Sequence, residues 1–91
     1  MIINTIRNIH FTRLVKANGR LREFNFRKAN GEIAGIFHVD VSDDRGNRHM
    51  FKMEKESNNH WAIIDQPLPG WVKDSEKHLH ELIEEELHQS I

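Results

Sequence analysis

The sequence contains no cysteine, which rules out a disulfide framework, a thiolate zinc site and cysteine-based nucleophilic catalysis. A small domain without such staples has to be held by packing. Long apolar runs are missing as well. Nothing approaches the ~20 apolar residues of a membrane span, and the run from Met1 to Arg7 is broken by Asn4 and Thr5 too early for a signal-peptide core. The expectation is a cytoplasmic protein without membrane contact. G-x-S-x-G, P-loop and dinucleotide fingerprints are absent, as are internal repeats and low-complexity tracts. The five glycines fall on turn signals, on Gly35 and on Gly70. These absences point away from an enzyme and imply no cofactor.

What is present suits a single domain spanning residues 1–91. A chain of 91 residues buries roughly 60 to 65% of its unfolded surface and has no spare core for a second unit. With 37% hydrophobic and 30% charged residues it lies well inside the globular range. The net charge of −1 hides an asymmetry. Residues 1–55 carry eleven Lys and Arg against six Asp and Glu, whereas residues 56–91 carry two against eight. Such a split marks either a nucleic-acid surface or two parts that neutralise one another in the fold.

Three turn signals divide the first half: Asn18-Gly19, Asn30-Gly31 and Asp43 to Asn47. Asn-Gly supplies the two positive φ angles of a type I′ hairpin turn, so each pair predicts a register. A two-residue loop at Asn18-Gly19 sets Phe11 opposite Phe26, Arg13 opposite Phe24 and Val15 opposite Arg22. A second at Asn30-Gly31 sets Phe24 opposite Phe37 and Phe26 opposite Gly35. For the third hairpin an odd loop, Arg45 to Asn47, opposes Val41 with Phe51 and Val39 with Met53. It also sets Asp40 beside Lys52 and His38 beside Glu54. Opposed residues share a face, so the turns converge on one apolar face, here face A: Ile9, Phe11, Val15, Phe24, Phe26, Ile33, Phe37, Val39, Val41, Phe51 and Met53. A short fifth strand, Trp61 to Ile64, adds Trp61 and Ile63.

Gln66-Pro67-Leu68-Pro69-Gly70 ends the sheet, because proline donates nothing to a ladder. Beyond it the apolar period changes from two to about 3.6, with Trp71, Val72, Leu79, Leu82, Ile83 and Leu87 on one stripe. Pro69 at the first helical position, or Asp74 or Ser75 as N-cap, can open this helix. The predicted fold is therefore α+β: an antiparallel β-meander of four to five strands over about 9–64, with its face A packed on one amphipathic helix over about 69–88.

Several residue groups are candidate sites. His80, Glu84 and His88 share one helical face, and Glu85 with His88 forms an E-x-x-H pair, but a carboxylate-bridged metal centre needs a second such helix. No metal is expected, and Glu84 is expected on the outer side of the helix. Arg20 and Arg22 project on face A, where a salt bridge to Glu81, Glu85 or Glu86 is predicted. The opposite face B carries Leu14, Leu21, Ile36 and Met50. Apolar side chains on a face that no intrachain element covers predict a protein partner, most simply a second copy. The alternative is single-stranded nucleic-acid binding through Arg13, Lys16, Arg27, Lys28, Arg48 and Lys52.

Two resemblances accompany this reading. The strings Glu23-Phe24-Asn25-Phe26-Arg27, Asp43-Asp44-Arg45-Gly46-Asn47-Arg48 and Leu68-Pro69-Gly70-Trp71-Val72 resemble those of small uncharacterised bacterial proteins, which implies a free-standing bacterial domain. The meander followed by one helix, over roughly residues 9–88, is similar in architecture to the Whirly, Pur-type and transcriptional-coactivator folds. That likeness, which carries no sequence motif, implies single-stranded nucleic-acid binding.

Overall fold

The computed structural model describes residues 9–28, 35–64 and 66–89. Five antiparallel strands lie in the order in which the chain makes them: β1 (Ile9–Ala17), β2 (Arg20–Lys28), β3 (Ile36–Ser42), β4 (Arg48–Lys55) and β5 (Trp61–Ile63). A one-turn helix, α1 (Gly70–Lys73), and a longer one, α2 (Glu76–Gln89), follow. The architecture is the predicted α+β meander closed by a C-terminal helix. No helix among the described residues is long and apolar enough to cross a membrane.

The first hairpin forms as its turn chemistry dictates. Asn18 and Gly19 both take positive φ, 53° and 84°, and Phe11 opposes Phe26, Arg13 opposes Phe24 and Val15 opposes Arg22. The second hairpin departs from expectation. Phe24 opposes Val41 and Phe26 opposes Val39, a displacement of four residues from the register of a two-residue Asn30-Gly31 loop. That turn, and Ile33, lie outside the described residues. The observed register places Phe24 and Phe26 each against a β-branched valine. On face B it joins Asn25 to Asp40, where Asn25 Nδ2 donates to Asp40 Oδ1 at 3.0 Å.

The third hairpin has the predicted odd loop, shifted by one residue. Asp43 N–H donates to the Asn47 carbonyl at 2.9 Å, leaving Asp44 to Gly46 as the loop. Gly46 takes the left-handed position, at φ 83°. Asp43 Oδ1 accepts the backbone N–H groups of Arg45 and Asn47, each at 2.9 Å, so Asp43 organises the turn. Consequently Val39 opposes Phe51, Phe37 opposes Met53, Asp40 opposes Met50 and His38 opposes Lys52. The expected Asp40–Lys52 and His38–Glu54 pairings do not form. Both displacements are even in register, and an even slip leaves every side chain on its own face.

Face A therefore survives the changes of register. Val15, Phe24, Phe26, Phe37, Val39, Val41, Phe51, Met53 and Trp61 are buried with Val72, Leu79 and Ile83, and Ile9, Phe11, Ile63, Trp71, Leu82 and Leu87 pack around them. The expected single helix is broken at Asp74-Ser75, so one helical segment begins after Pro69 and a second after Ser75. Pro69 flanks α1 as its N-cap instead of occupying its first position. The Ser75 hydroxyl donates to the Trp71 carbonyl at 3.0 Å.

Arg22 ties three of these elements together. Its Nε donates to the Ala17 carbonyl at 2.8 Å, its Nη1 to Asp44 Oδ1 at 2.9 Å, and its guanidinium lies 4.6 Å over the Trp71 ring. Arg20 also reaches Asp44, at 2.9 Å. The predicted bridges from these arginines to the helix are thus replaced by pairs to the third hairpin, whose shifted loop brings Asp44 within reach. The two arginines together hold the Asp44 carboxyl below its ordinary range, Arg22 contributing most.

Asp43 is lowered further, from 3.8 to about 2, first by the hydrogen bond from His49 Nε2 and then by the Asn47 and Arg45 backbone. A folded-state value below the unfolded one gives stabilisation that is complete above pH 3.8 and is lost as pH falls towards 2. Asp43→Asn keeps the oxygen that accepts the turn N–H groups but cannot titrate. Its unfolding free energy, measured in urea at pH 5, 3 and 2, is expected to fall less steeply than that of the parent. Parallel acid limbs would show that Asp43 is not a source of the acid sensitivity.

Candidate interaction surface

The alternation that buries face A turns a second set of side chains to face B. Across β1 to β4 the register aligns them in rows. One row is a polar ladder, in which Thr12 Oγ1 donates to Asn25 Oδ1 at 2.6 Å and Asn25 donates on to Asp40. The next row is His10, Arg27, His38 and Lys52. Beside it, a depression of about 150 Å³ is lined by Arg27, His38, Asp40, Met50, Lys52 and Gln66. Sites for drug-sized ligands occupy ~300 Å³ or more, so this hollow suits at most a side chain or a small ion.

The four apolar residues predicted for a partner are all on this face. Leu14, Leu21 and Met50 are 61%, 64% and 62% exposed, and Ile36 is half-buried. They do not form one patch. Leu14 and Leu21 are diagonal neighbours across the first hairpin, since Leu14 opposes Glu23 and Leu21 opposes Lys16. Met50 lies two strands beyond β2, opposite Asp40, and Ile36 opposes Glu54.

The six cations named for nucleic acid are separated by the fold. Arg13 and Lys28 lie on face A, opposite Phe24 and Ile9. Arg13 is bound by the helix, with Nη1 2.7 Å from Glu85 and Nη2 3.2 Å from Glu86. The Glu85 hydrogen bond, opposed by partial burial, raises the Arg13 pKa above its ordinary value. So Arg13 fills the role expected of Arg20 and Arg22, and the basic and acidic parts of the chain neutralise one another there. Arg48 sits 3.8 Å from Asp40. Lys16, Arg27, Arg48 and Lys52 remain on face B, with Glu23, Asp40 and Glu54 among them.

The polar helix face considered for a metal seals a sheet edge instead. Glu76, His80 and Glu84 recur every fourth residue and so stand on one side of α2, against β5. Glu76 Oε1 accepts the Ile63 N–H at 2.9 Å, His80 Nδ1 the Trp61 N–H at 3.0 Å, and Glu84 Oε2 the Trp61 indole N–H at 2.9 Å. His60 Nε2 donates to Glu76 Oε2 at 3.0 Å. Glu84 is therefore half-buried and bonded, not on the outer side of the helix. Glu85 is taken by Arg13, and His88 Nδ1 donates to the Glu84 carbonyl at 2.7 Å. Among the described residues no group of three or more His, Asp or Glu is arranged to hold a metal ion.

Glu76 and His60 were not singled out from sequence. Their signal is a strand of only three residues preceding a helix with acids and histidines at i, i+4 and i+8, since a short edge strand needs partners for its outward N–H groups. The chain matches no protein-family model, no curated protein and no solved structure.

Proposed function

We propose that the chain is a non-enzymatic binding module that self-associates through face B. The observation that carries this reading is the exposure of Leu14 and Leu21, each more than 60% accessible and adjacent on a face that no described element covers. Neighbouring apolar side chains held in water are relieved by burial against a partner, and a second copy is the partner always present at matching concentration. Single-stranded nucleic acid finds less support on this face. Its cations are interspersed with acids, and none of the described phenylalanines or tryptophans projects from it, so base stacking of ~1 to 3 kcal/mol per base has no platform.

Light scattering over a concentration series is expected to give a dimer or larger species, and Leu21→Asp is expected to return it to monomer with an unchanged circular dichroism spectrum. Solvent-face substitutions of this kind change stability by about 0.5 kcal/mol or less, so dispersal without unfolding is the discriminating result. A monomer at every concentration would end the self-association reading.

A further inference from the structure

We infer that the free edge of β1 is the joint between copies: β1 of one chain adds antiparallel to β1 of a second across a two-fold axis at Leu14. This rests on the self-association reading and specifies its site. The type I′ turn closes on a hydrogen-bonded Ala17–Arg20 pair, and in an antiparallel ladder such pairs alternate with non-bonded ones. The backbone groups of Phe11, Arg13, Val15 and Ala17 therefore point to β2, and those of His10, Thr12, Leu14 and Lys16 point outward. Among the described residues β1 pairs with β2 alone.

The two edges of the sheet are treated differently. At β5 the outward N–H groups of Trp61 and Ile63 are taken by His80 and Glu76. At β1, among the described residues, no helix side chain is hydrogen-bonded to an outward backbone group; the helix is ion-paired to the Arg13 side chain and packs on the inward face of the strand. Protected edges are short, bulged, covered, or carry proline or charged side chains, above all lysine and inward-pointing charges; of these β1 has Lys16 and the inward Arg13, which Glu85 and Glu86 already neutralise. β1 is nine residues long, unbulged in its pairing with β2, and free of proline and glycine. Its outward row of donors and acceptors, met by water in the single chain, is a template on which an extended strand can pair.

The β1 sequence makes that strand a second copy of itself. With the axis at Leu14, Leu14 faces its own counterpart and Thr12 faces Lys16 on face B. On face A, Arg13 faces Val15 and Phe11 faces Ala17. No like charges are opposed. Moving the axis to Arg13 sets arginine against arginine, which is repulsive. The Leu14 register also brings both Leu14 and both Leu21 side chains into one cluster, which explains why the exposed leucines adjoin this edge and not the sealed one.

Residue-level amide exchange on the full chain tests this. Between ~50 μM and ~1 mM, exchange at Thr12, Leu14 and Lys16 is expected to slow at least ~10-fold, while Arg13 and Val15 are protected throughout. Thr12→Pro removes an outward donor that the monomer does not use, and proline suits an edge strand. It is expected to abolish the dimer while the chain stays folded, and if it unfolds, exchange on the parent chain still decides. A dimer with unprotected Thr12 and Leu14 amides that Leu21→Asp disperses would overturn the edge joint and keep the face B reading. Protection of these amides that is independent of concentration would mean that the chain covers its own edge, and would overturn the joint too. A monomer throughout overturns both.

Discussion

Phe26→Ala is expected to cost ~3 to 5 kcal/mol, close to the whole stability of a domain this small, for which ~5 to 15 kcal/mol is the usual range. Phe26 is fully buried on an interior strand. Its ring stacks on Phe11 with centroids 4.5 Å apart and planes 7° from parallel. Phe11 in turn meets Phe37 edge-on at 6.0 Å, and Phe37 meets Trp61 at 5.1 Å. One truncation therefore opens a cavity under a chain of rings that runs from β1 to β5. The helix side of the same core gives the comparison. Leu79 and Ile83 are fully buried, whereas Leu82 packs at the margin, so Leu79→Ala should approach the Phe26→Ala loss and Leu82→Ala should fall well short of it. Urea denaturation of the three variants measures this ranking. A Phe26→Ala protein within about 1 kcal/mol of its parent would mean that face A is not the core.

The parity of the sheet was legible in the sequence and its register was not, for a physical reason. Side-chain alternation has period two, so any even slip preserves the apolar face, and Phe24, Phe26 and Phe37 stay inside in both the expected and the observed pairings. Asn18-Gly19 could be read fully because the turn is two residues with both φ angles positive. Around Asp43 to Asn47 the composition fits a three-residue loop in two positions. The choice fell to Asp43, whose carboxylate accepts the Arg45 and Asn47 N–H groups and the His49 ring within the same hairpin; the adjacent Asp44 is an equally good turn-capping residue by sequence, so the local pattern left both positions open. Partner choice was least legible. Arg13 opposing Phe24 already placed it under the helix, so its bond to Glu85 was open to inference, but Arg22 depended on where the third loop came to rest. The helix residues Glu76, His80 and Glu84 illustrate the same limit. Their spacing announces a polar face, but only the position of β5 shows that this face caps a strand. On face B the exposure of Leu14 and Leu21 follows directly from the first turn, so the candidate site was the most legible part of the surface.

Arg22→Ala is expected to lose ~2 to 4 kcal/mol, from charge-assisted hydrogen bonds of ~1.5 to 3 kcal/mol and a partly desolvated cation–π contact of ~1 to 2 kcal/mol, which overlap and do not add in full. The Arg22 side chain is 6% exposed, whereas its carboxylate partner Asp44 is 54% exposed and keeps Arg20 at 2.9 Å. The loss therefore arises chiefly at the arginine, and Asp44→Ala should cost less than Arg22→Ala. What disappears with Arg22 is its second hydrogen bond to the Ala17 carbonyl and the flat cation stacked on Trp71, and with them the tie between the first hairpin, the third loop and α1. Arg22→Lys separates charge from shape. A lysine ammonium restores the charge but cannot present a planar fork to Ala17 and Asp44 while stacking on an indole, so it should recover less than half of the loss. Pairing Arg22→Ala with Trp71→Ala in a double-mutant cycle isolates the stacking contact, for which a coupling of about 1 kcal/mol is expected. Full recovery by lysine, with no coupling to Trp71, would show that Arg22 acts only as a charge beside Asp44.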